Sequence, residues 1–364
     1  MTKVKKADLH NALKELCRIA KPNVALPFSE TIRLEAREGT LTMIANDLED
    51  ALIWRIQASG DLDPICLKAD NLKKLTKPAG KKDGQEMVEL EKTDGNKCKI
   101  TIGAQTVTIN GLDSSDFPDL PETTKSKKVA TIEQPDELLQ AIKFLLPAVC
   151  KNVTRYNLSG MYCAKNGDMV STDGDRLHLF KSSVCLPDLI VRKKAFEILA
   201  QIAEEPINVY VEKNVIAFKT DKWEMVSLVI DDCFPEYSYV FPKEEERKCQ
   251  LTVNSGELSS AIESAEKLIN PKDSSTGVVF CVNGSIAISV NNPDLGKFET
   301  VVVTTKNDHQ GEDLICMFNP RYLQDAVKLA GETVDLSFCD SLGPLVLNFD
   351  DKKVAIVMPM QIKN

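Results

Sequence analysis

The chain has 364 residues, 45 Lys plus Arg against 54 Asp plus Glu, 43% hydrophobic and 27% charged side chains, an ordinary globular composition that excludes a disordered or collagen-like polymer. Its longest apolar run, residues 144–150 with Pro147 inside it, is far short of the ~20 residues that cross a bilayer, and Met1-Thr2-Lys3-Val4-Lys5-Lys6 leads into an amphipathic pattern without a secretory leader; a cytoplasmic protein with no membrane contact is expected. The net charge of -9 argues against a surface coated for nucleic acid, yet it permits a local basic stripe.

In chain order, the first pattern is a helix, with Leu9, Ala12, Leu13 and Leu16 on one apolar face. An alternating strand over 41–46 follows and ends in a polar corner at Asp47. Ile65-Cys66-Leu67 then feeds a short helix over 71–75. Residues 112–128, containing Asp116-Phe117-Pro118-Asp119-Leu120-Pro121, read as an extended linker, because proline lacks a backbone donor and biases its predecessor away from helix.

The pattern then restarts. Leu138, Leu139, Ala141, Ile142 and Leu145 make a second helix face, residues 169–172 a second strand with its corner at Asp173, and Leu189-Ile190-Val191 a second feeder into a helix over 195–202. Ile207, Val209 and Val211 alternate as half-buried antiparallel strands do. Residues 231–248, with Phe234-Pro235-Glu236-Tyr237 and a charge run from Lys243, form a second extended linker. The third copy has a helix face of Leu258, Ala261, Ile262 and Ala265, a strand over 286–292, an apolar feeder over 314–317 and a helix over 320–329. Alternation through Val334, Leu336, Phe338 and then Leu345, Leu347, Phe349 completes it. Such self-similarity predicts three repeated domains, 1–125, 126–248 and 249–364.

Eleven scattered cysteines with no Cys-x-x-Cys, and three histidines far apart in sequence, predict reduced, mostly buried thiols and no zinc site. Phosphate loops, dinucleotide fingerprints, nucleophile elbows and His-Glu-x-x-His are all absent from the sequence. Asp173-Gly174-Asp175-Arg176 is the most enzyme-like segment, since two carboxylates could hold a cation; the plainer reading is a strand-to-strand turn. Asn319-Pro320 reads as a helix start.

Charge is unevenly spread. Residues 1–22 carry six basic side chains against Asp8 and Glu15, and residues 68–82 carry six against Asp70, both read as helical segments. His10, Lys14 and Arg18 fall on one helical stripe, and Lys73 and Lys77 on another, so these helices set a basic face opposite their apolar one. A basic helix face is usually only solvated. Its segregation from the acidic strands and linkers points instead to an anionic ligand met by helices, phosphate backbone above all.

With these motifs in view, the chain resembles the bacterial sliding clamp, the beta subunit of the replicative DNA polymerase III. The resemblance rests on Leu26-Pro27, Ala45-Asn46-Asp47-Leu48-Glu49, Asp116-Phe117-Pro118, Arg155-Tyr156-Asn157-Leu158-Ser159-Gly160, Ser171-Thr172-Asp173-Gly174-Asp175-Arg176-Leu177, Phe234-Pro235-Glu236-Tyr237, Asn291-Asn292-Pro293, Phe318-Asn319-Pro320-Arg321-Tyr322-Leu323 and Val357-Met358-Pro359-Met360. It implies an α+β DNA clamp fold of three repeated domains, helices lining a central hole and antiparallel sheets outside. It further implies a non-catalytic processivity factor without cofactor or metal: a ring-shaped homodimer around duplex DNA. Its implied partners are the polymerase catalytic subunit, the clamp loader, and repair or translesion polymerases and mismatch-repair proteins with clamp-binding peptides. Asp175 stands where the family commonly has His, and Gln361-Ile362-Lys363-Asn364 replaces a common Arg-Leu ending.

Site residues carried over by resemblance, together with the basic stripes, fall in three groups. DNA-facing candidates are Lys14, Arg18, Lys73, Lys77, Lys151, Arg155, Tyr156, Arg192, Lys193 and Lys194. A partner-peptide pocket is expected from Leu158, Thr172, Gly174, Asp175, Arg176, Leu177, Pro235, Val240, Asn319, Tyr322, Pro344, Ile356, Met358, Pro359 and Met360. A dimer contact is expected from Val107 and Ile109, on a strand over 99–109, against Leu268, Ile269 and Phe298. Two other readings stay open: a metal-dependent hydrolase or nuclease using Asp173 and Asp175, and a repeat scaffold with no nucleic-acid contact.

Overall fold

The computed structural model describes residues 1–78, 86–120, 127–152, 154–270, 277–309 and 313–362. Lys81 and Lys82 of the basic run, the domain break near 126 and the final two residues lie outside the described residues. The first repeat runs β1 (Thr2–Lys5), α1 (Lys6–Leu16), β2 (Thr31–Arg37), β3 (Thr40–Asn46), β4 (Asp50–Gln57), β5 (Leu62–Lys68), α2 (Ala69–Thr76), β6 (Met87–Thr93), β7 (Lys97–Ile102) and β8 (Gln105–Asn110). The second has β9 (Lys127–Ile132), α3 (Pro135–Leu145), β10 (Gly160–Cys163), β11 (Asp168–Thr172), β12 (Arg176–Lys181) and β13 (Leu189–Arg192). It ends with α4 (Lys193–Ile202), β14 (Ile207–Glu212), β15 (Val215–Lys219) and β16 (Trp223–Ile230). The third has β17 (Cys249–Asn254), α5 (Ser255–Glu266), β18 (Val278–Val282), β19 (Ile286–Asn292), β20 (Gly296–Val302) and the short β21 (Thr304–Asn307). After these come β22 (Leu314–Phe318), α6 (Pro320–Val327), β23 (Thr333–Phe338), β24 (Leu345–Asn348) and β25 (Lys353–Val357).

The helix faces read from spacing are the buried ones: Leu9, Ala12, Leu13 and Leu16 are fully enclosed, as are Ala141, Ile142 and Leu145. Two helices stop earlier than the charge pattern suggested. After Leu16 the backbone tightens, Arg18 N–H bonding to Glu15 O and Ile19 N–H to Leu16 O, so Arg18 leaves the stripe of His10 and Lys14. Lys77 is extended rather than helical, since Pro78 disfavours helix at its predecessor. The strand expected over 99–109 is a hairpin, β7 turning into β8 at Gly103 with φ +57. Among the described residues the linkers carry 3-10 turns at Ser114–Asp116, Tyr237–Val240 and Glu244–Glu246. All eleven cysteines are free, and burial pushes the Cys163 thiol up to about 12.

The compact units do not coincide with the sequence repeats. One comprises Met1–Leu139 and Lys194–Ile230, the other Gln140–Lys193 and Asp231–Asn364. In the first unit an antiparallel sheet runs β5-β2-β3-β4-β16-β15-β14-β9. In the second the order is β13-β10-β11-β12-β25-β24-β23-β17, with β21 added beyond β17. Each large sheet thus joins half of one repeat to half of the next, through β4 with β16 and β12 with β25. Two four-stranded sheets remain, β1-β6-β7-β8 in the first unit and β20-β19-β18-β22 in the second.

Candidate functional site

In the second unit the corner between β11 and β12 is built from its own polar groups. Asp173 Oδ1 accepts the amides of Asp175 (3.2 Å) and Arg176 (3.1 Å), and Thr172 Oγ1 accepts that of Gly174 (3.1 Å). Gly174 has φ +98, and a Cβ there would run into the guanidinium of Arg155, whose Nη1 donates to Asp173 O at 2.8 Å. Glycine is therefore required twice over, by backbone conformation and by the side chain lying across it.

Arg176 is buried. Its Nε meets Asp173 Oδ2 at 3.0 Å, Nη1 meets Asp325 Oδ2 at 2.7 Å, Nη2 donates to Pro147 O, and the ring of Tyr322 lies 4.4 Å away. A buried guanidinium is tolerated only when its donors are satisfied, and this one draws α6 and the 147 region onto the corner. Asn319 caps α6 by accepting the Arg321 amide at 3.0 Å, with Pro320 in the first turn. Burial first, then the carboxylates of Asp173 and Asp175, raise the Tyr322 hydroxyl above its ordinary value.

Around this pin lies a cleft of about 490 Å³. Its walls are Val149, Cys150, Lys151, Asn152 and Arg155 from one segment, Asp173, Asp175 and Arg176 from the corner, and Asn319, Arg321, Tyr322 and Asp325 from the start of α6. Four expected pocket residues, Asp175, Arg176, Asn319 and Tyr322, are brought together here, alongside two residues read as DNA-facing, Lys151 and Arg155. Sequence reasoning missed Val149, Cys150, Asn152, Arg321 and Asp325, and named Asp173 only as a possible cation ligand; for Asp325 the signal was its i+3 spacing from Tyr322 on a helix.

The apolar pocket candidates gather elsewhere in the same unit. Leu177 and Ile356 join Val170, Leu179 and Val346 in a buried cluster, against which Met358 and the linker residues Phe234, Tyr237 and Phe241 pack. Leu158, Leu177 and Ile356 are buried, Thr172, Pro344, Met358, Pro359 and Met360 half-buried, and Gly174, Pro235 and Val240 exposed. The Met358 amide donates to Asp175 O at 2.9 Å, and Met360 N–H to Met317 O at 2.6 Å, so the segment after β25 is tied both to the corner and to β22.

The basic candidates form local groups. In the first unit His10, which bonds Thr76 at 3.4 Å, titrates below its ordinary value because of burial and then the charges of Lys73, Lys77 and Lys14. Arg18 is held by Glu15 at 2.6 Å and Gln201 at 3.2 Å, and Lys194 is paired with Asp47. In the second unit Arg192 donates to the Tyr156 hydroxyl at 2.8 Å, with Lys193 next in sequence, half-buried at the start of α4, while Lys151 and Arg155 are exposed. Of the dimer candidates, Val107 is exposed and Ile109, Leu268, Ile269 and Phe298 are half-buried. Val107 and Ile109 pair with the buried Ile100 and Cys98, and Phe298 with Val290, so all three belong to the core-facing sides of edge strands.

The fold is that of the DNA clamps. It superposes on the DNA polymerase sliding clamp of Bacillus subtilis with a TM-score of 0.91 at 22% identity, covering 100% of this chain and 99% of that one. Curated beta sliding clamps align along its whole length, those of Staphylococcus epidermidis at 23% identity (98% of each chain) and Caulobacter vibrioides at 26% (99% of each). Residues 238–361 match the family model of the DNA polymerase III beta subunit, C-terminal domain. The chain is thus similar along its whole length to the bacterial beta sliding clamps and, over its last third, to the DNA polymerase III beta subunit family.

Proposed function

We propose that two copies of this chain close head to tail into a ring around duplex DNA and hold polymerases and other DNA-processing proteins there, without catalysis, in the cytoplasm. The observation that carries this is topological. Within each unit a β4-type edge (β4, β12) pairs antiparallel with a β16-type edge (β16, β25). Among the described residues two edges of the same two types, β20 and β8, end their sheets without a further strand. A second copy supplies the complement of each, which closes both edges and the assembly together. Val107 and Ile109 would then face Phe298, Leu268 and Ile269, each contributing roughly 1.5 to 3 kcal/mol if fully covered. Three clamp domains per copy, 1–125, 126–248 and 249–364, follow from the same repeat.

The basic groups on α1, α2 and α4 and around Arg155 support phosphate contact that carries no sequence code. The cleft and the adjoining apolar cluster support a partner peptide with aliphatic and aromatic anchors, presented by the polymerase catalytic subunit, the clamp loader, and repair, translesion or mismatch-repair proteins. The hydrolase reading loses its footing because both oxygens of Asp173 are engaged by amides and by Arg176. Solution mass and DNA retention test the proposal: a dimer that stays on closed circular DNA and is released on linearisation is expected. A monomer at micromolar concentration, or equal retention on linear DNA, sinks it.

A further inference from the structure

Arg155 touches both candidate sites at once. It is exposed, beside the Tyr156–Arg192 pair read as DNA-facing, yet it lines the cleft and its Nη1 holds Asp173 O at 2.8 Å across Gly174. The backbone it holds runs on to two anchors. Asp173 and Arg176 pin Tyr322 and Asp325 of α6, and Asp175 O accepts the amide of Met358 just after the final strand. The turn therefore has one exposed, cationic fastening, and that fastening is the kind of group a phosphate recruits most strongly, by a forked, charge-assisted pair of hydrogen bonds.

We infer that Arg155 is a positioning residue of the partner cleft that duplex phosphate draws away, so that DNA backbone and partner peptide bind this chain with negative linkage. The inference rests on the cleft and DNA readings above. With Arg155 on Asp173 O, the corner and the α6 wall are fixed in the arrangement described. With Arg155 on a phosphate, the turn keeps its internal Asp173 and Thr172 bonds but loses its outer fastening, and the peptide must order it on binding. Linkage is reciprocal: whatever factor the duplex imposes on peptide affinity, the peptide imposes on duplex affinity.

The test uses the full chain, a fluorescent peptide with two aliphatic anchors and one aromatic anchor (Gln-Leu-Ser-Leu-Phe), chosen to match the apolar cluster beside the cleft, and a short mixed-sequence duplex at constant ionic strength. Saturating duplex is expected to weaken peptide binding about fivefold in the wild type, and saturating peptide to weaken duplex binding by the same factor. In Arg155→Ala the peptide binds more weakly from the start and the duplex no longer matters. Arg155→Lys, which keeps a cationic donor, restores most of the coupling. A coupling factor unchanged in Arg155→Ala, or no coupling in the wild type although each ligand binds, overturns the inference alone. A wild-type chain that binds no peptide overturns the cleft reading and this inference with it.

Discussion

At 46–50 in the first unit and 172–176 in the second the backbone makes the same turn between equivalent strands. Asp47 Oδ1 accepts the amides of Glu49 (3.1 Å) and Asp50 (2.8 Å), as Asp173 Oδ1 does those of Asp175 (3.2 Å) and Arg176 (3.1 Å). The residue at positive φ is Leu48 (+78), exposed, in one and Gly174 (+98), under Arg155, in the other. The residue that follows the turn is Asp50, taking the Ser227 hydroxyl at 2.7 Å, in one, and Arg176, gathering Asp173, Asp325, Pro147 O and Tyr322, in the other. Two residues further, Leu52 sits fully buried where the second unit has His178. Equivalent topology therefore leaves side-chain chemistry free: the first junction is packed mainly with aliphatic groups, Ile53, Val215 and Val226 among them, and the second carries a charged pin beside a cleft.

The largest test of that contrast is Arg176→Ala. It leaves two carboxylates and a carbonyl facing a hole, and a loss of about 3 to 5 kcal/mol in denaturant unfolding is expected. Asp50→Ala should cost clearly less. Equal losses at the two positions would show that the pin is not what distinguishes the second junction.

Histidine 178 comes next. It is buried, stacked on Phe144 at 4.8 Å, and its Nδ1 donates to Phe144 O at 2.6 Å; burial outweighs that bond and lowers its pKa to about 4. The unfolded chain takes up the proton near 6.5 and the folded chain only near 4, so stability is retained above about pH 6.5 and lost as pH falls through that window, by about 3 kcal/mol in all. His178→Leu, copying the first unit, should flatten the stability profile between those values. A profile unchanged by the substitution would assign the acid sensitivity to other groups.

The smallest effects concern the positive-φ position. Gly174→Ala should destabilise by about 1 to 3 kcal/mol through backbone strain and the clash with Arg155. Leu48→Gly should shift stability by less than about 1 kcal/mol either way, because relief of strain is offset by a freer unfolded chain. Urea midpoints of the two variants decide the matter, and a Gly174→Ala midpoint at the wild-type value would mean that Arg155 does not rest on the turn.

Most of the secondary structure was legible. Leu9, Ala12, Leu13 and Leu16 announced α1 because a helix buries one stripe, and Ile207 with Val209 announced β14 because a sheet buries alternate residues. The turn at Asp173-Gly174 was legible from its residue types, and Asn319-Pro320 from capping chemistry. Less legible were the ends of elements: Arg18 and Lys77 continued the helical charge period but not the helix, since periodicity on an exposed face costs nothing to break. The hairpin at Gly103 was missed although the apolar phase switches there, from Cys98, Ile100 and Ile102 on one strand to Val107 and Ile109 on the other.

By itself the sequence determined the periodicities, the threefold repeat, the turns and the concentration of positive charge in the segments around the first two helices, since all of these depend on residues close in the chain; the helices themselves hold only Lys6 and Lys14 against Asp8 and Glu15, and Lys73 and Lys74 against Asp70. Only tertiary structure decided that β4 pairs with β16 and β12 with β25, so that half-repeats rather than repeats share sheets. It also decided that Arg176 is a buried pin rather than a surface charge, that His178 is held neutral, and that Arg155 lies across Gly174. The physical reason is the same in each case. A strand edge, a guanidinium or an imidazole carries its chemistry in the sequence, but its partner, and hence its desolvation and its charge state, comes from residues far off in the chain, 149 positions in the case of Arg176 and Asp325.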